Sequence, residues 1–361
     1  MITSIFPLKD ATIYDKLTSR TQNTGLDQIL EISKVEEEDL SYNSRALLQF
    51  DLTTISQSIV DGTISGSYKF YLETFASSIY EAAENYTIHG YPVSESWDSG
   101  IGKLMHTPTT TEGVSWGYRT DLLEWATGSY TGNVTSSYKN TSGGANWYTG
   151  STYEASQSFT QLDTDINMDV TDIVNKWLTG TIANNGIILK LSDTDESSSD
   201  NLGVKRYFST DTHTIYIPKL TIKWDDSTFT TGSLNALSDD NLVMYSKNLR
   251  QNYNTNSKTR VRINGRNRYE PRTFSTSSSY VSNYYLPSTS YYSIQDVVTS
   301  EEIVSFDDDY TKISCDTSGN YIDLWLSSFM VERFYKIIIK VVDSNGLENY
   351  YDEKMYFKVV R

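Results

Sequence analysis

Short runs in which apolar and polar residues alternate are the feature that most constrains the fold of this chain. In the clearest run, Ser44–Leu52, the apolar residues Ala46, Leu48 and Phe50 fall on one face. Alternation with a period of two is typical of a half-buried β-strand. Similar runs recur along the 361 residues, separated by Gly, Asn, Asp and Ser, whereas helical periodicity is almost absent. The sequence therefore predicts an all-β fold.

One stretch, Asp169–Asp193, combines a helix signal with a strand signal. Thr171 is placed to cap a short helix and Gly180 to end it. The apolar face of that helix consists of Ile173, Val174 and Trp177. Ile187–Leu191 then forms an apolar, β-branched strand pattern with Lys190 as its one charged residue. Because a helix of two turns is not stable alone, we expect it to cover a sheet of a β-sandwich.

Chain length and a composition change predict two domains. A chain of 361 residues can bury two cores. The polar segment 226–236 separates two sets of predicted strands, which gives an N-terminal domain at 1–225, a linker at 226–236 and a C-terminal domain at 237–361. The last domain ends in a hairpin pattern and is predicted to be an immunoglobulin-like β-sandwich. Within the first domain, a region at about 101–153 is predicted to form an aromatic-rich lobe.

Charge and cysteine content narrow the functional classes. The chain has 30 Lys and Arg against 46 Asp and Glu, a formal net charge of −16, which argues against nucleic acid as a partner. The single cysteine, Cys315, excludes an internal disulfide. The sequence contains no pattern of a secretory signal or of a membrane span, so we expect no membrane contact. These features suggest assembly in a cytoplasm and release by lysis, as for a virus particle.

An ordered series of motifs resembles the DNRLRE domain family over about residues 1–225. The motifs are ATIYD at 11–15, NTG at 23–25, RALLQFDL at 45–52, SWDSG at 96–100, GVSW at 113–116, DVTDIVNKWLTG at 169–180, NNGIILKL at 184–191, RYFST at 206–210 and PKLTIKW at 218–224. The resemblance implies a jelly-roll sandwich, similar in fold to carbohydrate-binding modules and found on cell-surface proteins and in phage virion proteins. It implies no catalytic residues. The lobe at 101–153 is longer than the family pattern.

The aromatic residues of the lobe are one candidate contact site. They are Trp116, Tyr118, Trp125, Tyr130, Trp147 and Tyr148. Aromatic faces supply large apolar area at low entropic cost, so these side chains could stack on sugar rings or dock a partner. The alternative is that they form the core of the lobe itself, and the sequence leaves both interpretations open.

A basic stretch between Lys247 and Arg272 is a second candidate. It holds eight Lys and Arg residues against one acid, Glu270. The candidate subunit contacts within it are Arg260, Arg262, Arg266 and Arg268. An acidic face of a neighbouring subunit is the simplest partner in such an acidic protein. Single-stranded nucleic acid and a merely solvated strand are the alternatives.

Motifs for catalysis and metal binding are weak. Gly113–Gly117 matches G-x-S-x-G, but that nucleophile motif needs a strand-to-helix turn of a parallel sheet, which the sequence does not predict. The acidic runs Glu36–Asp39, Asp193–Asp200 and Asp307–Asp309 fall in predicted loops and are interpreted as solvated, with a calcium site at Asp193–Asp200 as a minor alternative. We therefore expect no enzyme activity, no cofactor and no metal.

Taken together, the residues and the resemblance predict a structural or interaction protein of a tailed-bacteriophage virion, as a neck, tail or capsid-attached component. Its expected partners are copies of itself and other virion proteins. A carbohydrate-binding surface adhesin, which would bind a surface glycan, is the first alternative. A polysaccharide-degrading enzyme with paired carboxylates is the second.

Overall fold

The computed structural model of the chain describes residues 1–37, 40–80, 85–121, 123–126, 134–136, 143–160, 164–237, 242–269, 284–343 and 345–361. Within these ranges the regular structure is almost entirely β, which confirms the predicted fold class. The strands are β1 (Ile2–Ile5), β2 (Pro7–Tyr14), β3 (Ile29–Glu37), β4 (Leu40–Phe50), β5 (Tyr68–Thr74), β6 (Ala76–Tyr80), β7 (Tyr86–Pro92), β8 (Tyr118–Thr120), β9 (Leu123–Glu124), β10 (Val134–Ser136), β11 (Asn146–Tyr148), β12 (Ala155–Phe159), β13 (Ile166–Asp169), β14 (Ile187–Leu191), β15 (Gly203–Phe208), β16 (Lys219–Trp224), β17 (Asn235–Ala236), β18 (Leu242–Ser246), β19 (Asn252–Asn254), β20 (Lys258–Asn267), β21 (Tyr284–Tyr285), β22 (Ser290–Asp296), β23 (Glu302–Val304), β24 (Ser314–Asp316), β25 (Gly319–Trp325), β26 (Phe334–Val342) and β27 (Glu348–Val360). The α-helices are α1 (Thr53–Val60), α2 (Thr171–Leu178) and α3 (Asp193–Ser197).

The chain divides into two compact units. The larger unit consists of Ile5–Asp61 and Lys69–Ile222, and the smaller unit of Met1–Ser4, Gly62–Tyr68 and Lys223–Arg361. The sequence assigned Met1–Ser4 and Gly62–Tyr68 to the first domain. Side-chain bonds explain part of this difference, because the Ser328 hydroxyl accepts a hydrogen bond from the Ser4 N–H at 3.0 Å. No helix in the described ranges is both long and apolar enough to cross a membrane.

A large antiparallel sheet forms the centre of the larger unit. Its strand order is β12-β7-β14-β4-β3-β15-β6, and β2 also pairs with β4. A second sheet of the unit contains β16, β5 and β13 as neighbours. The two sheets meet at Gly90 of β7, because a Cβ atom there would lie 3.1 Å from the Met168 Sδ of β13 and 3.0 Å from the Ile187 Cδ1 of β14. A side chain at this position would require the Met168 and Ile187 side chains to shift by a few tenths of an ångström.

The aromatic-rich lobe covers the opposite face of the large sheet. Four buried tryptophans of the larger unit, Trp97, Trp116, Trp125 and Trp147, pack in one cluster with Ala11, Ile13, Leu47, Val93, Val114, Ala145 and Ile188. Because Ile13, Leu47 and Ile188 belong to the large sheet, the tryptophans form a third layer on it rather than a separate core within the lobe.

Local sequence signals locate α2 and β14 correctly. The three residues of the predicted apolar helix face are buried, and Gly180 ends the helix with a φ of 69°. The predicted cap is wrong. Thr171 is the first helical residue, and its hydroxyl accepts a hydrogen bond from the Phe70 N–H of β5 at 2.9 Å. The Thr171 hydroxyl therefore joins the helix to a sheet instead of capping its own helix.

The smaller unit is a β-sandwich of two sheets. One sheet has the order β18-β20-β25-β24 and the other the order β19-β27-β26-β22-β23. Both sheets contribute to one apolar core, with Ile263 and Leu324 from the first sheet and Ile337, Phe357 and Val359 from the second. The jelly-roll and immunoglobulin-like topologies expected for the two domains stay predictions.

The segment predicted to be a linker is bonded to the smaller unit. Phe229 pairs in parallel with Cys315 of β24, the Cys315 N–H donates to the Thr228 carbonyl at 2.8 Å, and the Cys315 carbonyl accepts from the Thr230 N–H at 2.9 Å. The polar composition of 226–236 therefore reflects an edge segment beside a sheet rather than a free connection.

Candidate functional site

A buried ion pair lies between the large sheet and the tryptophan layer. The guanidinium of Arg45 on β4 donates to both carboxylate oxygens of Glu196 on α3, with Nε–Oε1 at 2.9 Å and Nη2–Oε2 at 2.6 Å. Both side chains are only 1% exposed. The remaining Nη1 group donates to the Gly144 carbonyl. Because a buried charge is stable only when it is paired and hydrogen-bonded, this arrangement fixes α3 and the 143–145 segment on the sheet.

Two tryptophans predicted as contact residues flank this ion pair. The guanidinium carbon of Arg45 lies 4.6 Å from the ring centroid of Trp116 and 5.1 Å from that of Trp147. Trp116 is 2% exposed, and Trp147 and Trp125 are each 1% exposed. Their ring faces are therefore occupied by the protein itself. The prediction that these three tryptophans contact a ligand is wrong, because all three are buried, with Arg45 against Trp116 and Trp147 and the Trp125 Nε1 donating to the Ser115 carbonyl at 3.0 Å.

The acidic run at Asp193–Asp200 also supplies carboxylates that pair with buried cations of the larger unit. Lys190 is 0% exposed, and its Nζ lies 2.6 Å from Asp193 Oδ1 and 3.2 Å from Glu196 Oε2. Ser192 caps α3 by accepting the Asp195 N–H at 3.0 Å. The interpretation of this run as a solvated loop is wrong for Glu196, which is buried on α3, whereas Asp193 and Asp200 are exposed as expected. Within the described ranges, no group of three or more His, Cys, Asp or Glu side chains is placed to hold a metal ion.

The tyrosines of the lobe are more accessible. Tyr148 is half-buried, and its ring stacks on Tyr153 with centroids 5.6 Å apart. Tyr118 is also half-buried at the start of β8. Tyr130 lies outside the described residues. Of the predicted aromatic contacts, only Tyr118 and Tyr148 thus retain exposed surface in the described part of the chain.

A second polar centre, here called the Asn23 junction, is built around a fully buried amide. The Nδ2 group of Asn23 donates to the carbonyls of Ser99 at 2.6 Å and Val114 at 2.8 Å. Its Oδ1 accepts the N–H groups of Gly102 at 2.7 Å and Gly25 at 3.2 Å. All four hydrogen-bonding positions of the amide are therefore used.

Glycines let the backbone close around Asn23. A Cβ atom at Gly100 would lie 2.2 Å from the Glu112 carbonyl oxygen, and one at Gly113 would lie 2.5 Å from the Gly100 Cα. Both glycines also have positive φ, 76° and 105°. Only glycine can adopt a positive φ without strain and also leave room for the neighbouring backbone. Gly100 of SWDSG and Gly113 of GVSW therefore allow the backbone to pack closely around Asn23.

The serine of the G-x-S-x-G match lies in a turn next to this junction. Ser115 is buried, its N–H donates to the Tyr118 carbonyl at 2.8 Å, and its Oγ accepts the Tyr118 N–H at 3.2 Å. The motif therefore has a turn-forming role here.

A hydrogen-bonded cluster that sequence reasoning missed lies where β12 begins beside β7. Glu154 Oε1 is 2.7 Å from His89 Nδ1 and accepts the Tyr91 hydroxyl at 3.0 Å. Burial, the bond to Glu154 and the nearby acids raise the pKa of Tyr91 well above its usual value. The three residues carry no shared motif, and only the antiparallel pairing of β7 with β12 brings them together.

The basic stretch lies on the outward side of β20. Arg260 and Arg262 alternate with the buried residues Val261 and Ile263. Arg260 forms a bidentate pair with Asp323 of β25, with both N–O distances at 2.8 Å. Its guanidinium carbon also lies 3.8 Å from the Tyr321 ring centroid. This arginine is therefore matched to acid and aromatic groups of its own sheet.

Arg262 is paired in the same way. Its guanidinium donates to both carboxylate oxygens of Asp316 on β24, at 2.6 and 2.8 Å. The prediction that Arg260 and Arg262 neutralise a neighbouring subunit is therefore not supported, because their charges are balanced within the smaller unit. The Nη1 group of Arg266 donates to the Asn267 carbonyl at 3.3 Å, and Arg268 is exposed just beyond the strand. Neither arginine has a carboxylate partner among the described residues.

Comparison with known proteins gives no relative from which a function could be transferred. No protein-family model matches the chain, and no curated protein matches it. The function is therefore argued from the geometry of these sites.

Proposed function

We propose that the chain is a structural protein of a tailed-bacteriophage virion and acts through contacts with copies of itself and with other virion proteins. The proposal begins from the ordered motifs that resemble the DNRLRE domain family. Its main support is that the NTG motif at 23–25 meets two later motifs, SWDSG at 96–100 and GVSW at 113–116, at the Asn23 junction.

The contacts at the junction make the three motifs interdependent. Asn23 and Gly25 belong to the NTG motif, Ser99 and Gly100 to SWDSG, and Val114 to GVSW. The Asn23 side-chain amide is hydrogen-bonded to Gly25 of its own NTG motif, to Ser99 of SWDSG and to Val114 of GVSW. Motifs that share one buried side chain are constrained together, so their common order supports a true resemblance rather than separate chance matches.

The chemistry of the interior suits a structural role. The larger unit uses its most specialised groups, the Arg45–Glu196 pair and the four buried tryptophans, to fix the lobe to the sheet. The Arg45 guanidinium is hydrogen-bonded to Glu196 and to the Gly144 carbonyl, and buried polar groups that are satisfied in this way favour one unique packing. The high net negative charge of −16 would keep free copies of the chain soluble before they assemble.

Purified particles test the proposal. Particles released from a host that carries the coding genome are separated by density gradient and analysed by quantitative mass spectrometry. The polypeptide should band with the major capsid protein at a fixed ratio through successive gradients. Its presence in the infected cell together with its loss from the gradient-purified particles would contradict a virion role.

A cavity of the larger unit favours glycan binding as a second candidate. It has a volume of about 420 Å³ and lies between α1 and the end of α2. Leu52, Val60 and Trp177 supply apolar walls, while Asp51 and Gln57 supply polar groups at the exposed rim. Thr53, Ser56 and Asn184 add further polar groups, so most of the lining is polar. A neutral sugar, which offers hydroxyl groups and an apolar ring face, matches this mixed surface.

Calorimetric titration with neutral mono- and disaccharides tests this candidate. Saturable binding that weakens in a Gln57→Ala variant would favour the adhesin. Absence of binding heat at millimolar sugar would exclude glycan binding at this cavity. Neither result depends on whether the chain is present in particles.

A further inference from the structure

Charge is distributed unevenly between the two units. The larger unit contains 14 Lys and Arg against 28 Asp and Glu, so it carries a formal charge of −14. The smaller unit contains 16 Lys and Arg against 18 Asp and Glu, a formal charge of −2. Nearly all of the net charge therefore belongs to one unit, which gives a strong negative field only there.

The basic residues of the smaller unit are concentrated on one sheet surface. This surface, the β20 outer face, consists of Lys258, Arg260, Arg262, Asn264 and Arg266. Val261, Ile263 and Gly265 point to the other side and are buried. Since alternate residues of a strand project to one side, five successive outward positions include four cations.

Internal ion pairs leave one end of this face positive. Asp323 and Asp316 neutralise Arg260 and Arg262. At the other end, Arg266 has no carboxylate partner among the described residues, and the same holds for Arg268. Tyr269, which follows at once, is 80% exposed. Exposed Arg and Tyr side chains next to each other are the composition of interface hot spots.

We propose that Arg266, Arg268 and Tyr269 of one copy dock on the acidic larger unit of a second copy. This inference rests on the proposed function, in which copies of the chain contact each other. Opposite charge favours the pairing of the two surfaces, whereas two larger units repel each other. Because the two surfaces differ, the contact is heterologous, and repetition produces a ring or a filament.

Sedimentation velocity at low and high salt tests the contact. The full chain should self-associate at low ionic strength and dissociate as salt screens the charges. Arg266→Glu with Arg268→Glu should weaken association at least tenfold while leaving the melting temperature within a degree or two. The control, Lys354→Glu with Arg361→Glu, makes the same change of charge at exposed positions on β27 and just beyond it, and should associate nearly as the parent does. Equal weakening by both variants, or no association at low salt, would overturn the inference.

Chemical cross-linking tests where the partner surface lies. In an Arg266→Lys, Arg268→Lys variant, a carbodiimide joins the introduced amines to carboxylates in contact, and the reagent takes up the water that is lost and becomes a urea. A mixture of ¹⁴N- and ¹⁵N-labelled protein identifies links between copies. The links should end on Asp or Glu within 5–61 or 69–222. Links confined to the smaller unit would overturn the inference.

Two further outcomes are informative. One separates self-association from polyanion binding, and the other separates this contact from the proposed virion role. If polyuridylate binds the parent, is lost from the Arg266→Glu, Arg268→Glu variant and no self-association occurs, the face binds a polyanion and the inference is wrong. If the chain is present in purified particles but does not self-associate, the proposed function stands and only this contact fails.

Discussion

Arg45 and Glu196 are separated by 151 residues in the chain and meet as a bidentate ion pair with both side chains 1% exposed. The pair joins β4 to α3 and lies against two tryptophans of the lobe. Its position explains why a charged residue is tolerated in the most regular apolar strand pattern of the sequence. The cation is compensated by a carboxylate, a carbonyl and aromatic faces.

Removal of one partner of this pair should be severely destabilising. Arg45→Ala leaves Glu196 as a buried charge with less compensation, and we expect a loss of about 3–5 kcal/mol of unfolding free energy. The matched control is Arg206→Ala, which breaks an Arg–Glu pair with Glu31 whose arginine is 42% exposed. That loss should stay below about 1 kcal/mol. Chemical denaturation gives both values, and similar losses would contradict the role assigned to Arg45.

The Asn23 junction should reject any side chain at Gly100. Gly100→Ala combines a positive φ with a Cβ position 2.2 Å from the Glu112 carbonyl oxygen, and we expect a loss of about 2–5 kcal/mol. Gly180→Ala is the control, because Gly180 has a φ of 69° and no heavy atom within 4 Å of a built Cβ. Gly180→Ala should reduce the unfolding free energy only through the strain of an alanine at positive φ, by about 1 kcal/mol. Equal destabilisation by the two substitutions would show that close packing at the junction is unimportant.

Asp10 should make the protein less stable as the pH rises from about 4 to 6. Burial raises the pKa of Asp10 to about 6, although its carboxylate accepts the N–H and hydroxyl of Thr210. Between the unfolded value of 3.8 and about 6 the folded state binds the extra proton, so unfolding becomes easier as that proton is lost. The effect amounts to at most about 3 kcal/mol. Asp10→Asn should remove this decline in denaturation curves measured across that pH range, and an unchanged pH profile would contradict the assignment.

Arg262 should give stability with the opposite pH dependence. Its hydrogen bonds to Asp316 hold the pKa of that carboxyl below the usual value. The stabilisation by this ion pair is therefore fully present above the pKa of Asp316 in the unfolded chain. It is lost as the pH falls through the lower pKa of Asp316 in the folded protein. Arg262→Gln should cost about 1 kcal/mol or less at pH 7, because the pair is partly exposed, and the cost should become smaller as Asp316 is protonated at acidic pH. A variant that also failed to self-associate while remaining folded would return Arg262 to the subunit contact predicted from the sequence.

The sequence predicts local features well because their causes are local. β14 has the predicted bounds, Ile187–Leu191, and the buried face of α2 follows directly from its apolar spacing. The cap of α2 was mispredicted because Thr171 bonds to Phe70, which is 101 residues away.

Long-range pairing accounts for the sites that the sequence assigned wrongly. Arg260 and Arg262 form a basic pattern in the sequence, yet the acids that neutralise them are 63 and 54 residues away. The lobe tryptophans likewise lie in a polar stretch of the sequence, and nothing in that stretch shows that they pack against Arg45 and the large sheet. Composition gives the residue types that are present, but only strand pairing shows which of them meet.

Cryo-electron microscopy of purified particles tests the central claim, that this chain is an assembly component of a virion, most directly. The reconstruction should contain repeated density that fits the larger and the smaller unit, with the end of the β20 outer face at Arg266 and Arg268 in contact with another copy. Particles whose complete density leaves no place for either unit would contradict the account.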